Sequence, residues 1–293
     1  MIDLHVHSNI SDGTLTPSQV VDRAVETKLK AIALTDHDTI GGIEEALQRA
    51  QFHRNSGIDF TLIPGVELSV GYKKRDIHIL GINIDYKKQP FIDLLDQMVR
   101  EREERNLKMV KNFQDAGFDI TLEALQAEAK NAVITRAHFA KELVRKKYVS
   151  TAKEAFAKYL GEDGPYYVNR KYITPEQAIE AILDADGIPC LAHPMLYHLP
   201  AAELSQLVDR LTKHGLQAIE TIYSTYTKQE ENAVRFLASK YGLMITGGSD
   251  FHGEVKPDIA LGTGMGNLEI PDNILDTLLQ FQSLNCKKQM AKT

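Results

Sequence analysis

The chain has 293 residues, 43% apolar and 25% charged, with a net charge of −6, the size and balance of one large α/β domain or two smaller ones. The acidic excess excludes a protein held to long nucleic acid or to an anionic membrane by bulk charge, and no apolar run is long enough to span a bilayer. The two cysteines, Cys190 and Cys286, allow no disulfide framework, and the amino-terminal Met-Ile-Asp-Leu-His lacks the regions of a signal peptide, so a reducing cytoplasm is expected.

Residues 2–7 alternate apolar and polar and read as a strand. Thr16-Pro17-Ser18-Gln19 then carries the marks of a helix start: Thr16 as N-cap, Pro17 in first position and Gln19 as the return partner of a capping box. Residues 30–35 give the next strand, 41–51 a helix, and 60–68 and 76–83 two more strands. The rhythm then breaks. From about 91 to 169 the patterns are helical, over 93–117, 122–130, 136–147 and 151–160, which reads as an insertion between two βα units. Thr174-Pro175-Glu176-Gln177 repeats the capping signal and opens a helix to about Ala185. Strands at 188–192, 216–223 and 243–247 then alternate with helices at 204–214 and 228–241. Seven strands, mostly separated by helices, imply a parallel sheet, open or closed into a barrel. The expected division is an α/β barrel from 1–94 and 169–293 with a helical cap from 95–168.

Six of the ten histidines fall at or just beyond these strands, close to acids. His5 and His7 end the first strand, followed by Asp12. His37 lies in Thr35-Asp36-His37-Asp38, Glu67 in Pro64-Gly65-Val66-Glu67, and His78 in Asp76-Ile77-His78. His193 precedes Pro194, and Asp250 with His252 closes Gly248-Ser249-Asp250-Phe251-His252. Parallel α/β folds build their sites at the carboxyl ends of strands, and the period of two puts His5 and His7 on one face. Imidazole with carboxylate suits zinc, manganese or iron, and no cysteine stands nearby to make a thiolate site. His53, His198 and His214 read as surface residues.

The motifs D-L-H-V-H-S-x-x-S-D-G, L-T-D-H-D, P-G-V-E, H-I-L, A-H-P and G-G-S-D-x-H, in that order from Asp3 to His252, resemble the PHP (polymerase and histidinol phosphatase) family. Residues 135–140 (TRAHFA) and 219–224 (IETIYS) resemble its stand-alone branch of nucleoside 3′,5′-bisphosphate phosphatases and short-RNA 5′-exonucleases. The resemblance implies a distorted (βα)7 TIM-like barrel and a trinuclear site. His5, His7, Glu67 and Asp250 would hold one metal, and Glu67 would bridge to a second held by His78 and His193. Asp12, His37 and His252 would hold the third. None of these positions departs from the family pattern. The resemblance also places Arg136 and His138 at the substrate phosphate, with Ser224 nearby.

Two or three divalent ions per chain are thus expected, manganese first, with zinc or iron as alternatives. They would serve hydrolysis of a phosphate monoester by a metal-activated hydroxide. Asp36, Asp38, His193 or a water would supply the proton for the leaving oxygen. Residues 130–171 hold ten Lys or Arg against four acids, a local excess that suits an anionic substrate. Arg136 is the best placed of these by chemistry, since a guanidinium grips phosphate with two donors; Arg170 and Lys171 are weaker candidates. Tyr166, Tyr167, Tyr172, Tyr223 and Tyr226 read as packing residues with a secondary option of stacking on a base. The expected substrate is a small nucleotide, first a nucleoside 3′,5′-bisphosphate losing its 3′-phosphate. Histidinol phosphate or another monophosphate, the 5′ end of a short RNA, and a non-catalytic metal-stabilised module are the alternatives. A monomer or small homo-oligomer, with no membrane partner, completes the expectation.

Overall fold

In the computed structural model, residues 1–73, 75–129, 133–161, 163–168 and 173–290 are described. Seven strands form one sheet in chain order: β1 (Ile2–Val6), β2 (Ala31–Leu34), β3 (Thr61–Tyr72), β4 (Arg75–Ile82), β5 (Ile188–Leu191), β6 (Ala218–Tyr223) and β7 (Met244–Gly248). The ends nearly close into a barrel. Val6 bridges to Phe251, His7 N donates to Phe251 O at 3.0 Å, and Asp250 N donates to His5 O at 2.9 Å. Closure demands a glycine at 248, because a Cβ there would stand 2.6 Å from the His5 backbone nitrogen.

The sheet is not parallel throughout. β4 runs antiparallel to both β3 and β5. The reason is the connection: Tyr72 and Arg75 are two residues apart, enough for a hairpin and far too little for a parallel crossover, which takes a dozen residues or more. His78 lies within β4, as the strand expected over 76–83 implies, opposite Ser69 of β3.

Helices α1 (Pro17–Glu26) and α2 (Ile43–Asn55) cover the first strands. Both capping boxes form as read: Gln19 N donates to Thr16 Oγ1 at 3.2 Å, and Gln177 N donates to Thr174 Oγ1 at 3.3 Å at the start of α7 (Pro175–Asp184). Between β4 and β7 the chain also makes α3 (Gln89–Asp115), α4 (Leu122–Ala129), α5 (Arg136–Arg145), α6 (Ala152–Ala155), α8 (Ala201–Lys213) and α9 (Lys228–Tyr241). α6 runs straight into a π-helical turn, Phe156–Leu160. Met109, Phe113, Leu125, Phe139, Leu143 and Leu160 of the α3–α6 segment share an apolar cluster of their own. A last helix, α10 (Asn273–Met290), was not among the expected elements. Its Ile274, Leu275 and Leu278 pack with Ile2, Leu4, Leu80 and Cys190, so the tail shields one apolar cluster of the barrel.

Candidate metal centre

The nine expected ligands converge. His5 Nε2 and His7 Nε2 are 3.1 Å apart, and stand 3.2 and 3.1 Å from Glu67 Oε2 and 3.6 and 3.3 Å from Asp250 Oδ1. The other Glu67 oxygen is 2.7 Å from His78 Nδ1 and 2.9 Å from His193 Nε2. His37 Nδ1 lies 3.2 Å from Glu67 Oε2, and His252 Nε2 lies 3.2 Å from Asp12 Oδ1. Glu67 is the hub. Three groups have donor atoms all within 4.8 Å of one another: His7, Asp12, His37 and His252; His5, His7 and Glu67; His37, Glu67 and His78. His7 and His37 each belong to two of them, a sharing that the partition implied by resemblance did not contain.

This donor set fits divalent cations. Asp12 Oδ1, His37 Nδ1 and His193 Nδ1 are buried without a hydrogen-bond partner among the described residues, and buried polar atoms of that kind call for a partner. Imidazole and carboxylate together suit zinc, manganese or iron. The electrostatics agree. Burial opposes charge on His5, yet Glu220, Glu67 and Asp250 outweigh it and hold the imidazole well above its usual range. His7 is pushed up to about 9 against burial by Asp250 and Glu67. Burial disfavours the charged forms of Asp12, Glu67 and Asp250 as well, but surrounding cationic groups keep all three well below the usual carboxylate range. His37 is driven down to about 3, chiefly by burial.

The turns that present these groups are strained. Asp38, His193 and Asp250 have φ of +54°, +24° and +57°, the left-handed region that non-glycine residues rarely occupy. Two anchoring acids escaped the sequence reading. Glu220 of β6 receives His5 Nδ1 on Oε1 at 3.0 Å and the His193 N–H on Oε2 at 2.7 Å. Asp3 accepts from Ser249 N at 2.8 Å, Ser249 Oγ at 2.5 Å and Gly262 N at 2.8 Å. Both carboxylates are fully buried, a tertiary fact with no local mark in the sequence.

Other expectations need correction. Asp36, a candidate proton donor, accepts from Ser8 N, Ser8 Oγ and Ser11 Oγ at 2.7–2.8 Å. Asp38 accepts from Ser69 N at 2.7 Å and pairs with Arg102. Both carboxylates are committed as acceptors that hold turns. Ser224, expected at the substrate, is buried and donates to Ser249 O at 2.6 Å, bracing the turn before Asp250. His53, read as a surface residue, is largely buried with Nε2 2.6 Å from Asp22 Oδ1; His198 and His214 are exposed. Tyr166, Tyr223 and Tyr226 pack in the interior, and Tyr167 lies under the Arg136 guanidinium at 5.5 Å. Arg170, Lys171 and Tyr172 lie outside the described residues.

Arg136 and His138 do reach the cluster's neighbourhood. Both sit in the first turn of α5, where His138 Nδ1 accepts from Thr135 N at 3.0 Å and Thr135 Oγ1 lies 3.3 Å from Asp12 Oδ2. Arg136 Nη2 donates to Asp76 Oδ2 at 3.2 Å. A cavity of about 170 Å³ is lined by Asp12, His37, His78, Arg102, Arg136 and Phe156, among others. A wider groove of about 670 Å³ shares Asp12 and His37 with it and adds His252, Lys141, Lys153 and Lys256.

The chain matches the PHP domain over residues 3–187. It is 37% identical over 260 residues to the 5′-3′ exoribonuclease Rnm of Escherichia coli, covering 89% of this chain and 87% of that protein. It is 34% identical over 252 residues to a 3′,5′-nucleoside bisphosphate phosphatase of Chromobacterium violaceum, covering 86% and 87%. A solved structure from Bifidobacterium adolescentis, described as a metal-dependent phosphoesterase, superposes with a TM-score of 0.83 at 26% identity over 95% of both chains.

Proposed function

Since the chain belongs to the PHP family, we propose that it hydrolyses a phosphate monoester of a small nucleotide, foremost the 3′-phosphate of a nucleoside 3′,5′-bisphosphate. It is a metal-dependent phosphoesterase. Two or three divalent ions, manganese in the first place and zinc or iron otherwise, would be held by His5, His7, Asp12, His37, Glu67, His78, His193, Asp250 and His252. Bound there, such ions polarise phosphate oxygens and bring the pKa of water toward neutrality.

The chain's own groups do the rest. Glu220 takes His5 Nδ1 at 3.0 Å, so Nε2 is the ring nitrogen that would face a metal. Arg136 offers a planar pair of donors to a phosphate oxygen. His138, with Nδ1 accepting from Thr135, carries its proton on Nε2 and can donate it to the substrate. Of the three residues considered for proton transfer, His193 alone has a ring nitrogen in the cluster. Residues 95–168 act as a cap over this mouth, in a cytoplasmic monomer or small homo-oligomer.

The observation that carries the reading is the shared cavity: Arg136 and three of the candidate ligands, Asp12, His37 and His78, line about 170 Å³, room for a phosphoryl group but less than the roughly 300–1,000 Å³ that a whole ligand fills. The adjoining groove of about 670 Å³ has room for the remainder. Its Lys141, Lys153 and Lys256 also favour a second reading, trimming of the 5′ end of a short RNA. Assays with adenosine 3′,5′-bisphosphate (pAp), AMP, 3′-AMP, histidinol phosphate and a 5′-phosphorylated short RNA, with Mn²⁺ and with chelator, decide. Highest kcat/KM on pAp, abolished by chelator, is expected; equal turnover of every monophosphate would refute the nucleotide reading.

A further inference from the structure

Helix α3, outside the barrel, sends a buried arginine into the loop that carries His37. Arg102, 7% exposed, donates through Nη2 to Asp38 Oδ2 and, at 3.1 Å, to Ser69 Oγ. Asp38 accepts from Ser69 N through its other oxygen at 2.7 Å and donates its own N–H to Glu67 O at 3.0 Å. Its φ of +54° makes it the strained residue of the turn. His37, immediately before it, bridges to Glu67 along the backbone and places Nδ1 3.2 Å from Glu67 Oε2. The guanidinium therefore sits at the back of a clamp whose front is the His37–Glu67 pair. Without the guanidinium, the contact that ties Asp38 and Ser69 to α3 is lost, and the turn at φ +54° loses one of the groups that hold it.

We propose that Arg102 is a positioning residue: acting through Asp38, it sets His37 against Glu67 and makes metal retention depend on the α3 helix. The inference rests on the reading of His37 and Glu67 as metal ligands. It gives the helical segment a second role besides covering the mouth, and it differs from the role of Arg136, which acts on substrate.

The test uses the full chain and Mn²⁺, with affinity and stoichiometry followed by electron paramagnetic resonance of free Mn²⁺. Arg102→Met should weaken at least one manganese site by about 10- to 100-fold, the usual effect of removing a partner behind a ligand. Asp38→Asn should do the same, and the double variant should be no weaker than Asp38→Asn alone, since both act along one route. Arg102→Lys, which keeps the charge without the fork, should recover part of the loss. Wild-type manganese affinity in Arg102→Met, additive losses in the double variant, or a raised KM with unchanged metal binding would each overturn the proposal; the last would make Arg102 a substrate ligand. Should Arg102→Met fail to fold, Arg102→Lys and Asp38→Asn still supply the comparison. A wild-type chain that binds no manganese, zinc or iron would instead remove the underlying metal reading.

Discussion

Glu220 decides which nitrogen His5 turns toward the cluster. Its two oxygens take one N–H each, from His5 Nδ1 at 3.0 Å and from the His193 backbone at 2.7 Å. Glu220→Gln keeps the shape but offers one acceptor oxygen to two donors, so one N–H must face an amide NH2. Hydrogen bonds to a charged partner contribute about 1.5–3 kcal/mol, and each 1.36 kcal/mol is tenfold in rate. The expected loss is thus on the order of 10- to 100-fold in kcat/KM for pAp, in line with other groups that orient metal ligands. Two measurements accompany it: metal content by elemental analysis after gel filtration, and kcat/KM across a Mn²⁺ titration. A displaced His5 ring predicts that added Mn²⁺ restores part of the rate. A Glu220→Gln chain with full metal content and a rate within twofold of wild type would refute the reasoning.

Arg136→Ala should cost roughly 30- to 1000-fold in kcat/KM on pAp, about 2–4 kcal/mol for a two-pronged charged contact, with metal content intact; a loss on pAp but not on AMP would assign the contact to the second phosphate, and no loss would remove Arg136 from the site. His7→Ala and Glu67→Ala should lose metal and activity together, which elemental analysis beside the pAp assay checks. Loading one site at 100 times its Kd contributes about 2.7 kcal/mol, so Mn²⁺ should raise the thermal midpoint by about 5–10 °C for a chain of this size; an unchanged midpoint would count against a built metal site. Gly248→Ala forces a methyl group onto β1 at 2.6 Å from His5 N, and overpacking of that kind costs about 1–3 kcal/mol; calorimetry should show a lowered midpoint and elemental analysis reduced metal.

What the sequence made legible was whatever is written locally. Short β-rich runs marked all seven strands within a few residues, and Thr16 and Thr174 announced their helices through contacts three residues long. The H-x-H pair worked for the same reason: alternation along one strand is a short-range fact. The reversed β4 was hidden because strand direction depends on the length of a turn, and β3 runs on to Tyr72, past the expected end at residue 68. Arg102 and Glu220 were invisible because their partners lie 64 and 215 residues away. Asp36 and Asp38 misled in the opposite way. A pair of acids flanking a ligand histidine suggests proton transfer, but the donors that occupy them come from the loop after β1, from β3 and from α3.

A division of labour follows from where the strain sits. Asp38, Asp250 and His193 occupy turns whose backbone conformations cost on the order of 1–3 kcal/mol each. Each is held by a group from another element: Asp38 by Arg102 of α3, His193 by Glu220 of β6, and Asp250 by the Tyr223 hydroxyl at 2.6 Å and Lys256 at 2.5 Å. Glu67, the hub that touches the most histidines, instead lies within the regular part of β3. The centre is therefore one rigid hub surrounded by turns under tension, each with its own distant anchor. Removal of the hub removes donors from two of the three candidate groups at once, whereas removal of an anchor leaves every donor in the chain and loosens one turn. Anchor variants should for that reason lose metal site by site, with affinities that fall in steps, while Glu67 variants lose two of the three groups together.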